Sequence, residues 1–431
     1  MKLFLSLSGF AFAMFFSLDL LSQDTHHCAH DHVLRQLARQ NSSFESTLKQ
    51  NFAKVKKESK SMEKAATVYQ IPVVFHVVYN TDEQNIADEV VMDQIEILTQ
   101  DFRRLNPNAT DAREQYLSLA GDAEIEFYLA TEDPDGNPTN GINHVQTDTE
   151  GFVLDFFSED ITLDEVKFEE TGGTPSWGNE YLNIWVCNIM DQGFGQVFGF
   201  AYPPNGAENW DGFFDFIEDD VAGVVMHYTC VGSNNPTADS DGFSQNNEGR
   251  TLSHEVGHFF GLRHIWGDGF FDGCNVDDGI DDTPVAAAGA NYVCDFTSDD
   301  CTDDDLPNMI ENYMDYNEDN CLSMFTHEQI EVMRFNLENY RPELIAGQTV
   351  SIEEHSKAPF RIYPNPNNGA FTLNADESLI GKTIEVRNLL GQVVANQEVN
   401  SNLTADFYGI SSGMYLVVVS GTNRSQQLII K

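Results

Sequence analysis

The sequence predicts an α+β fold followed by a small all-β unit, and three observations lead there. Strand-like runs and two long helical segments fill most of the first two thirds of the 431 residues. The second half of that region is loop-rich and carries a compact histidine motif. Near Ser356 the composition changes to turn residues and short apolar runs.

Taken in order, Ile71 to Tyr79 reads as a buried strand. Asp88 to Arg104 has helical periodicity, with Val91, Ile95 and Leu98 marking its inner face and Asn106-Pro107 its end. Ile125 to Ala130, Leu182 to Cys187 and Val224 to Thr229 are further strands, and Gln192 to Pro204 is expected to form the upper rim of a cleft. A helix begins near Thr251, and another runs from His327 to Tyr340 with Thr326 as its N-cap. Past Ser356, Tyr363-Pro364-Asn365-Pro366-Asn367-Asn368-Gly369 cannot be helical. The runs Phe371–Leu373, Ile384–Val386, Val393-Val394, Met414–Val419 and Gln427–Ile430 then suggest an antiparallel β-sandwich.

Residues 254–264 read His-Glu-Val-Gly-His-Phe-Phe-Gly-Leu-Arg-His, which is H-E-x-x-H-x-x-G-x-x-H. On a helix, His254 and His258 project from one face and can share a Zn2+ ion. Glu255 sits where it can reach a water at that ion without ligating it. Gly261 can end the helix in a left-handed conformation, so that the returning chain delivers His264 as third ligand. Three protein ligands leave a position for water, as in a catalytic site. A bare H-E-x-x-H arises by chance in roughly one chain in twenty of this length, and the added Gly and His reduce that by about 400-fold.

The motif resembles that of the metzincin zinc endopeptidases. Asn312-Tyr313-Met314-Asp315-Tyr316 resembles their methionine turn, in the wording of the pappalysin family. Ile71–Tyr79, Gly199-Phe200-Ala201-Tyr202-Pro203 and Asp281-Asp282-Thr283-Pro284 agree, so the resemblance covers about residues 68 to 342. It implies a mixed twisted sheet above the cleft, two long helices, and irregular structure below. It also implies Glu255 as general base, Tyr316 as hydrogen-bond donor to the developing charge, and Met314 as a packing floor. Thioether sulfur is too soft to compete with imidazole for Zn2+. Asp319, after the methionine turn, is expected to line a pocket preferring Arg or Lys after the cut bond. Asp278, Asp281, Asp282 and Thr283 resemble the pappalysin calcium region. The tail from about 359 to 431 resembles the C-terminal sorting domain of type IX secretion substrates, through its Y-P-N-P-N-N-G and G-M-Y motifs.

Composition fits an exported protein. The formal charge of −46 excludes nucleic acid and anionic lipid as partners. Residues 1–69 hold nine of the 23 Lys and Arg but only six of the 69 acids, and no Lys or Arg stands between Arg263 and Arg334. Met1-Lys2 and the apolar run to Leu21 read as a signal peptide, with no later segment apolar enough to span a bilayer. Seven cysteines suggest three disulfides and one leftover. Cys274, Cys294, Cys301 and Cys321 allow three pairings; the pappalysin resemblance implies Cys274–Cys301 and Cys294–Cys321. Cys187–Cys230 then follows by elimination, leaving Cys28.

The expected organisation is a signal peptide at 1–22, a propeptide at 23–66, a zinc peptidase domain at 67–345, a linker at 346–358 and a sorting sandwich at 359–431. The lysine-rich propeptide, helical in pattern at Val33, Leu34, Leu37 and Ala38, can lay a basic face on the acidic domain. Cys28 can then supply a thiolate that holds the zinc latent, although His26, His27, His30 and His32 around it could also bind metal. The expected product is a monomeric, secreted zinc endopeptidase with one catalytic Zn2+, a structural Ca2+, protein substrates and the secretion machinery as partner. The competing expectation is a non-catalytic surface adhesin on the same scaffold.

Overall fold

A computed structural model of the chain describes residues 28–30, 33–34, 37–38, 43–60, 67–155, 161–191, 196–214, 219–238, 244–268, 273–301 and 306–346 of the first unit. In the second it describes 360–363, 367–375, 379–388, 392–402, 404–419 and 425–431. The chain divides into compact units at Thr349/Val350. The expected signal peptide and most of the expected linker lie outside the described residues. Among the described residues no helix is long and apolar enough to cross a membrane.

The first unit opens with helix α1 (Phe44–Ser59), which carries an apolar stripe of Phe44, Leu48, Phe52 and Val55. Strand β1 (Tyr69–Tyr79) follows and is buried along most of its length, as a central parallel strand must be when both faces are covered. It pairs with β2 (Ile125–Leu129) through its first half and with β3 (Ile142–Gln146) through its second. On its other side lies β4 (Leu182–Cys187), followed by β6 (Val224–His227), all parallel. The edge strand β5 (Gly199–Ala201) alone runs antiparallel, against β6. The sheet is therefore mixed, and its antiparallel edge borders the cleft.

Helix α2 (Asp88–Phe102) turns Val90, Val91, Leu98 and Phe102 inward, and Asp88 and Glu89 sit favourably at its positive N-terminal end. Helix α3 (Arg250–Phe259) is buried along almost its whole length, so its polar side chains need internal partners. Helix α4 (His327–Tyr340) starts with a capping box: Thr326 accepts from the Gln329 amide, and Gln329 reaches back to the Thr326 amide. Between α3 and α4 the chain is loop and short 3-10 turns, held by disulfides Cys274–Cys301 and Cys294–Cys321.

The expected Cys187–Cys230 bridge is absent, and strand register explains the correction. Cys187, at the end of β4, lies opposite His227 on β6, whereas Cys230 falls three residues later, in a turn that has left the sheet. Both thiols are buried, and burial pushes that of Cys187 well above the usual thiol range.

The second unit has a three-stranded antiparallel sheet, β7 (Phe360–Tyr363), β8 (Ala370–Ala375) and β11 (Thr404–Tyr408), with β8 central. A four-stranded sheet orders β10 (Val393–Glu398), β9 (Thr383–Asn388), β12 (Gly413–Val419) and β13 (Ser425–Ile430). Ile362, Phe371, Leu373 and Phe407 from the first sheet share one core with Ile384, Val386, Val417, Val419 and Leu428 from the second. The unit is thus a β-sandwich.

Candidate active site

Helix α3 is held at both ends and along its flank. At its start, the Asp319 carboxylate accepts from the amides of Glu248 and Arg250, at 2.9 and 3.1 Å, an external cap for donors the helix leaves unpaired. Along its flank, Asp101 of α2 forms an ion pair with Arg250 and accepts from Ser253 Oγ at 2.5 Å and Tyr313 Oη at 2.8 Å. At its end Gly261 adopts φ +93°, and a side chain there would run into Asn336. The Gly261 carbonyl accepts from Asn209 Nδ2 and Trp210 Nε1, both at 2.9 Å.

These constraints bring three imidazoles together. The Nε2 atoms of His254, His258 and His264 lie 3.1 Å from one another in every pairing. Each Nδ1 faces a fixed acceptor: the Tyr313 carbonyl at 2.8 Å, the Leu262 carbonyl at 2.9 Å and the Asp268 carboxylate, respectively. Those acceptors hold the proton on Nδ1, so three Nε2 lone pairs point at one spot. Burial pushes the pKa of His254 and His258 well below the ordinary imidazole range, and the facing rings push the same way. Protonation is thus no remedy for the crowding, whereas a cation is. Nitrogens at this separation suit a tetrahedral ion at about 2.0–2.1 Å from each, the Zn–N range. Among the described residues one group of side chains could hold a metal: these three histidines with Cys28, their ligand atoms all within 4.8 Å of one another.

Around this centre, Met314 packs its thioether under Gly257, where any side chain would collide with it. The Met314 amide donates to Asn312 Oδ1, and Asn312 pairs with Gln329 in the α4 capping box. The Tyr316 ring stands 4.7 Å from that of His264 and 5.6 Å from that of His254, with its hydroxyl 3.4 Å from the Cys28 carbonyl. Glu255 is fully buried beside β5, and a side chain at Gly199 would come within 2.6 Å of its carboxylate. A pocket alongside is lined by Glu255, Tyr292, Tyr316 and Asp319, among others.

The comparisons agree with this geometry. The family model described as pregnancy-associated plasma protein-A peptidase matches residues 173–338, which include every residue just placed around the metal except Cys28. An extracellular metalloprotease of Pyricularia oryzae is 31% identical over 222 residues, 51% of this chain and 68% of that protein. Another, from Arthroderma gypseum, is 27% identical over 61% of this chain and 71% of its own length. Among solved structures, a promirolysin mutant of Tannerella forsythia superposes with a TM-score of 0.61 at 35% identity, covering 74% of this chain and 97% of that one. Mature mirolysin in complex with a cleaved peptide gives 0.56 at 39% identity, covering 65% and 97%. The chain belongs to the pappalysin family of metzincin metalloendopeptidases. As a pappalysin it works with a catalytic zinc, and it is secreted or held at the cell surface. A model described as a secretion system C-terminal sorting domain matches residues 361–431, so the sandwich is the part that addresses this pappalysin to the secretion machinery.

Of the expected calcium ligands, Asp278 and Thr283 meet each other, and Asp281 and Asp282 turn to other partners. Asp278 accepts from Thr283 Oγ1 at 2.9 Å, Asp281 pairs with Lys56 at 2.6 Å, and Asp282 accepts from the Glu328 amide at the start of α4. His30 stacks on His258 at 4.1 Å and lies outside the ligand group. Asp268 escaped the sequence reading, because the motif ends at His264. The signal was its place four residues later, where a turn returns its carboxylate to His264 Nδ1 while Arg263 Nε donates to the same carboxylate at 3.0 Å. Replacing Asp268 with Asn should weaken zinc retention about 10- to 100-fold. Competition with a chromogenic chelator measures this, and unchanged retention would show that Asp268 does not orient the ligand.

Proposed function

We propose that this pappalysin is made latent, that His254, His258 and His264 hold its zinc, and that Cys28 blocks the fourth position until residues ahead of the domain are cut away. The observation that carries the proposal is the approach of the Cys28 sulfur to the three Nε2 atoms. The backbone supports it: Cys28 forms a parallel bridge with Gly199 on the rim strand, and the Ala29 amide donates to the Gly199 carbonyl at 3.0 Å. The likeness to solved structures also widens from 65% to 74% of this chain when the partner is the pro-form.

Bound zinc supplies a Lewis acid that polarises the scissile carbonyl and acidifies water. Glu255, buried next to His254, takes the proton of the attacking water and passes it to the leaving amine. Tyr316, freed from the Cys28 carbonyl, turns its hydroxyl to the developing oxyanion. Met314 sets the floor by packing. Asp319 offers a negative charge to an Arg or Lys after the cut bond, while the oxygen bound by Glu248 and Arg250 keeps α3 in place. Calcium is left out of the proposal: Asp278 meets Thr283, whereas Asp281 pairs with Lys56 and Asp282 accepts from the Glu328 amide. The proposed boundaries remain signal peptide 1–22, propeptide 23–66, peptidase 67–345 and sorting sandwich 359–431.

Two substitutions test latency and catalysis together. The unaltered full chain should cleave casein only after a lag, and the Cys28→Ser chain should cleave it without one. Adding Glu255→Ala should lower turnover by at least about 100-fold while zinc stays bound. A persistent lag in the first variant rejects the cysteine block; undiminished turnover in the second rejects Glu255.

Asp319 gives a pH signature. Burial pushes its carboxyl up to about 7, so the charge is present above that pH and lost as pH falls through it. The ratio of kcat/KM for Arg over Gln after the cut bond should therefore rise from pH 6 to pH 8. Asp319→Asn, which keeps a hydrogen-bond acceptor for the two amides, should flatten that ratio. A ratio independent of both pH and Asp319 removes the pocket assignment.

A further inference from the structure

Helix α1 lies on the catalytic unit through two kinds of contact, and neither involves zinc ligands. Its apolar stripe is fully covered. The Phe44 ring meets Phe213 at 4.8 Å and Phe52 meets Trp210 at 5.6 Å, both edge to face. Phe52 also lies against the bare backbone of Gly279, which adopts φ +82° and leaves 2.7 Å between its missing Cβ and that of Phe52. Lysines flank the stripe, and four of them meet acidic partners. On one side Lys49 pairs with Asp277 at 3.2 Å, Lys56 with Asp281 at 2.6 Å and Lys60, just past the helix end, with Glu328 at 2.6 Å. On the other side Lys54 pairs with Glu208 at 2.6 Å. The receiving surface comes from three stretches of the domain far apart in sequence, 208–213, 277–281 and Glu328.

This surface is built for its occupant. A glycine bares the backbone under an aromatic ring, and acidic side chains stand where lysines arrive. Exposed pairs of this kind contribute little each, so the apolar stripe holds the helix while the charges choose it and speed its arrival. The domain supplying the surface has no Lys or Arg from 264 to 333, and its negative field extends beyond the contacts. Trp210 touches both Phe52 and His30 and donates to the Gly261 carbonyl, so the surface adjoins the zinc motif without containing it.

We infer that the face beneath α1 is a separate docking site, specific for an amphipathic helix with lysines on both sides of an apolar stripe, and that the matured enzyme keeps it open. The inference rests on the reading that residues ahead of the domain are cut away. In the latent chain the site holds residues 43–60 and so raises the local concentration of Cys28 at the metal. After the cut it accepts the same segment in trans, and substrates bearing such a helix gain affinity there, away from the scissile bond.

The test uses enzyme matured from the full chain, with its new N-terminus verified, and a fluorescent synthetic peptide of residues 43–60, which contains no cysteine. Anisotropy should show saturable one-to-one binding that weakens at least about tenfold between 50 and 500 mM NaCl. Stripping zinc should leave it unchanged. Peptides with Phe52→Ala and Leu48→Ala together, or with Lys49, Lys56 and Lys60 all changed to Glu, should lose binding. A reporter substrate fused to the unaltered segment should show a lower KM than one fused to the Glu version, at equal kcat. No binding, equal binding of both variants, or displacement by a cleft-directed hydroxamate overturns the docking site. The latency proposal fails on different grounds, a Cys28→Ser chain that still lags, so the two can be told apart.

Discussion

Three imidazole lone pairs, each 3.1 Å from the others and fixed by a proton committed elsewhere, set the terms for the rest of the catalytic unit. Buried in this way, they cannot be relieved by water or by protonation, and they are stable together only around a cation. The surrounding structure serves that convergence. Tyr313 and Leu262 supply carbonyls and Asp268 supplies a carboxylate, which His264 and then Arg263 hold below the usual carboxylate range despite its burial. A family chemistry that needs one open position on zinc thus rests on hydrogen bonds made on the far side of each ring.

The support reaches outward in steps. Asp101 joins the two long helices to the methionine turn through Arg250, Ser253 and Tyr313. Asn312 joins that turn to the capping box of α4. Gly261 lets the chain reverse, and Asn209, Trp210 and Asn336 lock the reversal from three directions. Buried polar networks of this kind specify one arrangement. The segment at Cys28 and helix α1 are fitted to the finished domain from outside. One reaches the three imidazoles beside Gly199, and the other rests on an acidic, glycine-floored surface.

How far the sequence revealed this depended on how local each signal was. The zinc motif was legible because eleven consecutive residues carry the expected ligands, base and turn at fixed offsets. The α4 start was legible because Thr326, an N-cap residue, directly precedes a helical run. What escaped depended on distant parts of the chain. Cys187 and Cys230 looked like a pair by arithmetic, but register sets Cys187 against His227 and carries Cys230 past the sheet. Asp319 is expected at a pocket wall, and no local pattern shows that its carboxylate also begins helix α3. The calcium expectation rests on Asp278, Asp281, Asp282 and Thr283; that Asp281 and its neighbour Asp277 meet lysines of helix α1 depends on a part of the chain far away in sequence. The contrast between basic residues before position 69 and an acidic remainder is visible as composition; the matching of lysine to carboxylate is not.

The central claim concerns four ligands on one ion, and X-ray absorption at the zinc edge of the full-length chain tests it most directly. The account predicts one zinc per chain, with three nitrogen neighbours at about 2.0–2.1 Å and a single sulfur at about 2.3 Å. A shell of nitrogen and oxygen alone would contradict the place given to Cys28. Absence of zinc from the purified chain would contradict the tripod itself.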